Sequence, residues 1–396
     1  MCCDFARYAI SMRIAYCANV RLPSERAHGH QIAQVCDALV YLGHEVTLFV
    51  PQRRNLIQED YYSYYGAERD VKLQYLDAFD NNKFPVSLGL PGLYLANASL
   101  RRALYRALSG ENFDLFYTRA PTLLPVLLKK GVPVVLELHQ LPRFGRASFV
   151  RKCNACRLVS CLTSPMRDEL VQMGVASEHV IVEPDAVNLQ LFSQQTDRKA
   201  WHHEHDIPSD VPLISYVGQL RSMGLSKGVE TLLSALEDLS RSGRDFCAVI
   251  AGGPDDVRHK MENGLSPNLR SKVKFLGTID HRSVPALLSA SDLLVYPAPA
   301  SNHQFYMRDT SPLKIFEYMA SGKPIVCADL PPLRDVLSEE TAFLASPGDS
   351  TELALAMNHA LEHPEEADKH AELARKIVEN HTWEKRMQRI LQVSAS

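Results

Sequence analysis

Twelve short apolar runs set the strongest constraint on how this chain folds. RIAYC at 13–17, EVTLFV at 45–50, LQYL at 73–76, LFYTR at 115–119, PVVLELH at 133–139, LVSCLT at 158–163 and VIVEP at 180–184 form a first set. LISYVG at 213–218, FCAVIAGG at 246–253, VKFLG at 273–277, LLVYP at 293–297 and IVCAD at 325–329 form a second. Helical stretches separate most of them. Strand–helix alternation of this kind builds parallel sheets covered by helices on both faces. The first unit of the pattern is RIAYC, a helix over roughly Gly29 to Leu42 with Ile32, Val35, Cys36, Leu39 and Val40 on one face, and EVTLFV; it reads as a βαβ unit. Between the two sets lies DRKAWHHEHDIPSD, residues 197–210, polar and turn-rich, which puts a domain boundary near 190–210. The expectation is α/β with two doubly wound domains, and 396 residues with 46% hydrophobic content can fill both cores.

Composition removes several function classes. No uncharged apolar run approaches the ~20 residues that span a bilayer, and the first eleven residues lack the apolar core of a signal peptide. A cytoplasmic protein is expected, with residues 1–11 an extension or Met12 the natural start. Nine cysteines, an odd number scattered through apolar segments, suit reduced thiols. Cys153-x-x-Cys156 has no matching second pair, and His202, His203 and His205 with Glu204 on a polar linker converge poorly on one ion, so no metal site is expected. Residues 1–200 carry 23 Lys+Arg against 19 Asp+Glu, and the remainder 20 against 27, which points weakly to an anionic partner for the first half. No nucleic-acid partner is expected. The first strand is followed by no G-x-G-x-x-G, which argues against a dinucleotide site.

The candidate site begins at TSPLKIFEYMASGKPIVCADLPPLRDVL, residues 310–337. Thr310 or Ser311 offers a hydroxyl cap, Pro312 suits the first helical position, and Ser321-Gly322 ends the helix. The amino end of such a helix favours a phosphate, with Glu317 placed for a hydroxyl-bearing part of the same ligand; an ordinary surface helix is the other account. GQLRSMGLSKGVE follows the first strand of the second set, so Arg221 and Lys227 sit where a diphosphate could be held. In the first half, the loop ANVRLPSERAHGHQ with Gly29, and Arg119 and His139 at strand carboxyl ends, face the crevice side of a sheet. The stretch LPRFGRASFVRKCNACR, with Arg143, Arg146, Arg151, Lys152 and Arg157, is either a solvated basic helix or a contact for an anionic membrane surface at the inner face.

Taken in order, ERAHGHQIAQVCDALVYLGHEVTLFVP, YTRAP, VVLELHQLP, SYVGQL with LSKGVETLLSAL, VIAGGPDD, VKFLGTID, SPLKIFEYMASGKPIV and HTWEKRMQRIL resemble the retaining, nucleotide-sugar-dependent glycosyltransferases of family 4. The resemblance implies a GT-B fold: an acceptor-side Rossmann-like domain over 1–195, a donor-binding one over 196–378, and a final helix over 379–396 that crosses back to the first. It implies that Lys227 holds the donor diphosphate. Where the family usually has Arg after the glycine of V-G-R, Gln219 follows Gly218 here, and Arg221 stands in two residues on. Glu317 matches the glutamate that binds the ribose hydroxyls. Asp309 occupies the place of a first glutamate facing the donor sugar. Ser311 lies in the TSPLK turn, whose Leu313 and Lys314 are placed to give backbone N–H groups to the phosphate. Thr278 and Ile279 match the segment that meets the base, and Gly29 and His139 match the amino-terminal glycine loop and the active-site histidine.

The implied reaction moves a glycosyl group, with retention, from a nucleotide diphosphate sugar to an acceptor hydroxyl, with no cofactor and no metal. Positive groups around the departing diphosphate would stabilise its developing charge. Two rivals keep the same crevice: a GT-B-type nucleotide-sugar epimerase, and a binding protein without turnover.

Overall fold

The computed structural model describes residues 11–67, 70–80, 89–193, 196–222 and 224–395; Cys2, Cys3 and residues 1–10 of the possible extension lie outside them. The first sheet holds seven strands: β1 (Arg13–Cys17), β2 (Glu45–Pro51), β3 (Lys72–Leu76), β4 (Leu115–Thr118), β5 (Val134–Leu138), β6 (Leu158–Cys161) and β7 (Val180–Val182). All pair in parallel in the order β3-β2-β1-β4-β5-β6-β7. After β8 (Leu213–Val217) comes a two-stranded ribbon, β9 (Arg221–Ser222) and β10 (Leu225–Ser226). The second sheet continues with β11 (Cys247–Ala251), β12 (Val273–Gly277), β13 (Leu293–Tyr296), β14 (Ile325–Ala328) and β15 (Phe343–Ala345). Its order, β12-β11-β8-β13-β14-β15, is also all parallel. Each sheet reverses direction of growth beside its own first strand, the arrangement that opens a binding crevice at the carboxyl ends of those strands.

Both faces of each sheet are covered. On β8, Leu213 and Val217 join a core with Phe316 and Met319, while Ile214 and Tyr216 point the other way toward Leu232 and Leu236. Every residue of β8 and β11 is buried. That is why these strands read as unbroken apolar runs rather than alternating ones. With no polar side to offer, they leave chemistry to the loops at their ends.

The described residues divide into two compact units, one drawn from residues 11–162, 166–183 and 383–395, the other from residues 163–165 and 184–382. The stretch 197–210 is no linker. Arg198–Glu204 forms a helix whose N-cap, Asp197, accepts from the Lys199 and Ala200 N–H groups, and Trp201 and His202 are buried in it. The ring nitrogens of His202 face the carbonyls of Ala290 at 3.1 Å and Pro208 at 3.2 Å. A polar composition concealed an N-cap and one buried face.

Helix Trp383–Ala395 buries Trp383, Arg386, Met387, Ile390 and Leu391 within the first unit, against helix Ala27–Tyr41 and β6. Among the described residues no helix is long and apolar enough to cross a membrane. Ile390 is fully buried. Ile390→Ala is therefore expected to destabilise the protein by about 2–5 kcal/mol, read as a lower urea midpoint.

Candidate functional site

Glycines line the carboxyl edge of the second sheet. Gly218, after β8, has φ 144° and donates its N–H to the Ala251 carbonyl at 2.8 Å; Gly252, after β11, has φ 148° and donates to the Gly277 carbonyl at 2.7 Å. A Cβ on Gly252 would lie 1.8 Å from the Gly218 oxygen, and one on Gly218 would lie 2.0 Å from Lys314 Nζ. Only glycine fits at either position. The signal for Gly252 in the sequence is the Gly252-Gly253 pair that ends a strand, a sign of close backbone approach.

The ribbon after Gly218 separates the two cations expected there. Arg221, on β9 and paired in register with Ser226, is exposed. Lys227 follows β10 at the base of the ribbon, where Gly228, at φ 79°, caps helix Val229–Arg241. The Lys227 ammonium lies 4.0 Å from the Phe305 ring centroid, and burial lowers its pKa to about 8. A second ammonium arrives from Lys314, which donates to the Tyr216 hydroxyl at 3.0 Å; that hydroxyl in turn donates to the Gln219 carbonyl at 2.7 Å. Burial, and then the charge of Lys227, bring Lys314 to about 7. Beside the backbone role expected of Lys314, its side chain thus supplies a charge. The direction of its side chain depends on the tyrosine beneath it, which the sequence does not reveal.

Helix Leu313–Ser321 starts one residue later than expected. Pro312 is the N-cap and makes no side-chain cap; the Ser311 hydroxyl accepts from Asp185 N–H at 3.0 Å instead, and Thr310 is buried beside Tyr296. The hydroxyl cap is thus replaced, because both hydroxyls have partners outside the helix. Leu313 and Lys314, as its first residues, still have no intrahelical i−4 acceptor for their N–H groups. Glu317 Oε1 lies 2.9 Å from His281 Nε2. Burial alone would lower the His281 pKa, but the hydrogen bond and charge of Glu317 turn the shift upward. Thr278 is exposed after β12, while Ile279 is half-buried against the core. Asp309 is engaged by its neighbour: Arg308 Nε meets Oδ1 at 2.6 Å and Nη2 meets Oδ2 at 3.0 Å, with both side chains 8% exposed.

The first unit carries a separate group. His139, after β5, places Nε2 2.6 Å from Oε1 of the fully buried Glu137. Burial, then Arg119, lower His139 to about 4 against the opposing pull of Glu137. Arg119 donates to Gln31 Oε1 and, at 3.4 Å, to the His28 carbonyl. Gly29 is buried in the first turn of helix Ala27–Tyr41, and a Cβ there would lie 2.2 Å from the Tyr65 hydroxyl. The face expected to approach a ligand is filled by that tyrosine. In the basic stretch, Arg146 pairs with Glu169 at 3.3 Å, Arg157 donates to the Ser394 carbonyl at 2.8 Å, and Phe144 is 89% exposed. Cys153 and Cys156 are buried free thiols whose pKa values burial pushes up to about 12.

Two family descriptions divide this chain between them. Glycosyltransferase Family 4 matches residues 29–191, and Glycosyl transferases group 1 matches residues 197–377. The chain belongs to the family 4 glycosyltransferases of GT-B fold. The alpha-D-kanosaminyltransferase of Streptomyces kanamyceticus is 27% identical over 275 residues, which cover 63% of this chain and 67% of that protein. Against several other curated relatives the match spans about half of their length. Among solved structures, a glycosyltransferase from Rickettsia africae superposes with a TM-score of 0.73 at 17% identity, covering 96% of this chain and 98% of its own. Anabaena HepE, solved in complex with UDP, gives 0.71 at 18% identity, covering 97% and 100%. At these identities the solved structures speak for the fold.

The Arg308–Asp309 pair yields a direct check. Asp309→Ala leaves a buried guanidinium without its carboxylate and is expected to cost about 3–5 kcal/mol in urea unfolding.

Proposed function

We propose that this chain is a retaining glycosyltransferase that moves a sugar from a nucleoside diphosphate donor to an acceptor hydroxyl. The observation that carries the reading is the convergence of the Lys227 and Lys314 ammonium groups beside the glycine edge of the second sheet. Two half-buried cations, one of them disfavoured by burial alone and the other by burial and the charge of its neighbour, favour a dianionic ligand beside them. A nucleotide diphosphate supplies that charge, and HepE, of the same fold, has been solved with UDP and with UDP-glucose.

In this reading the backbone at Gly218 and Gly252 admits the pyrophosphate without a Cβ in the way, and the amino end of helix Leu313–Ser321 adds N–H donors. Glu317, already oriented by His281, accepts from the ribose hydroxyls. As the glycosidic bond breaks, the electron pair leaves with the diphosphate. Lys227 and Lys314 stabilise that charge as preorganised groups, with Arg221 entering from the ribbon. The departing phosphate oxygen takes the proton of the incoming hydroxyl on the same face, which preserves the anomeric configuration. No protein nucleophile is needed, and the paired Asp309 is poorly suited to be one.

The same Arg308–Asp309 pair favours a second reading, nucleotide-sugar binding without turnover, since the carboxylate is already satisfied. Transfer of label from donor to acceptor separates the two. A thermal-shift panel of UDP, GDP, ADP, CMP and dTDP identifies the donor base, because a ligand that binds the native state raises its apparent stability. With that donor, Lys227→Ala is expected to abolish transfer while the melting transition stays cooperative; near-normal turnover would remove the site.

The two lysines also fix a pH signature. Their folded pKa values, about 8 and about 7, lie below the ordinary lysine value. The unfolded chain therefore binds more protons between pH 7 and 10, and these lysines make the free protein more stable as pH rises. Diphosphate binding needs them charged. Its affinity is expected to fall over pH 7.5–9.5 by up to about tenfold per pH unit for each lysine that must be protonated, so the ligand-induced thermal shift shrinks while the free protein gains stability.

A further inference from the structure

A fully buried ion pair in the first unit is not required by the reading above. Glu137 sits on β5 with no exposure, and four groups converge on its carboxylate. His139 Nε2 lies at 2.6 Å and Gln31 Nε2 at 3.2 Å from Oε1, while the Tyr117 hydroxyl and Arg386 Nη1, the latter at 3.0 Å, donate to Oε2. Arg386 is itself fully buried, and its Nη2 donates to the Glu183 carbonyl at 3.2 Å. Burial alone would raise the Glu137 pKa, but Arg386 and then His139 hold it well below the usual carboxylate range.

An ionised carboxylate can only accept hydrogen bonds, so the ring nitrogen that faces it carries the proton. His139 Nε2 is thereby a donor, and at neutral pH the ring, with its lowered pKa, keeps a lone pair on Nδ1. Among the described residues Nδ1 makes no hydrogen bond, and the side chain is 21% exposed. The ring is tethered at one nitrogen and open at the other. A neutral Glu137 would accept or donate at Oε1 and leave the tautomer unspecified; Arg386 prevents that by keeping the carboxyl charged.

We propose that Glu137 and Arg386 are positioning residues that lock His139 as its Nε2–H tautomer and present the Nδ1 lone pair to a substrate hydroxyl. Helix Trp383–Ala395 then serves the site by delivering the guanidinium that defines the acceptor nitrogen. The proposal rests on His139 touching substrate, a role taken from the family resemblance, and the experiment separates the two.

The single change Glu137→Gln would strand a buried guanidinium and could prevent folding, so the test uses Glu137→Gln with Arg386→Met, which removes both charges together. Nitrogen-15 spectra of histidine-labelled full-length protein, with His139→Asn supplying the assignment, report the tautomer directly. The wild type is expected to show a protonated Nε2 and a free Nδ1, and the folded double variant a mixture of tautomers. With the nucleotide sugar selected by the thermal-shift panel, kcat of the double variant is expected to fall by at least about tenfold, short of the about 10⁴-fold loss that a wrong histidine tautomer causes in a catalytic triad, with donor KM little changed. Normal kcat in His139→Asn would remove the parent role of His139. Loss of kcat in His139→Asn combined with an unaltered tautomer and kcat in the double variant would overturn the positioning role alone, as would a wild-type ring protonated on Nδ1.

Discussion

A parallel sheet buried on both faces has nowhere to place polar chemistry except at the ends of its strands, and this constraint governs both units of the chain. The strands are apolar because helices cover each side. The crossover geometry then collects every carboxyl end on one edge, where glycines replace side chains and backbones approach each other. In the second unit that edge is Gly218, Gly252 and Gly277, where Gly218 donates to the Ala251 carbonyl and Gly252 to that of Gly277. In the first it leads to Arg119 and His139. Both groups of candidate residues owe their position to the burial of the strands behind them.

The periodic features of the fold were legible in the sequence. All twelve apolar runs became strands, and the strand–helix alternation produced two parallel sheets, since burial on two faces leaves a mark on every residue of a strand. Short elements were harder to read. The ribbon at 221–226 is two residues per strand, β15 at 343–345 is three, and the helix at 198–204 hides its buried Trp201 among histidines and charges.

Among the candidate residues of the two units, Lys227, Glu317 and His139 could be placed from their order along the chain, because each follows a strand or lies in a helix after one. Their partners could not. Lys314 turns its amine onto Tyr216, Asp309 is held by Arg308, and Glu137 is neutralised by Arg386. Each pairing depends on a rotamer or on residues distant in sequence, and local spacing carries no trace of either. Glycine showed the same division: the need for Gly218 follows from a motif, whereas the need for Gly29 follows from the Tyr65 hydroxyl that occupies its Cβ position.

The return of helix Trp383–Ala395 to the first unit bears on the order of assembly. Glu137 and Arg386 are 249 residues apart in sequence, and the whole second unit lies between them. A contact of such separation forms late, after its loop-closure entropy has been met by other interactions. During synthesis, β5 therefore emerges with a carboxylate destined for burial before Arg386 exists, and until then Arg119 is the charged partner already at hand. The first unit can reach its final packing only once the helix that follows the second unit has been made.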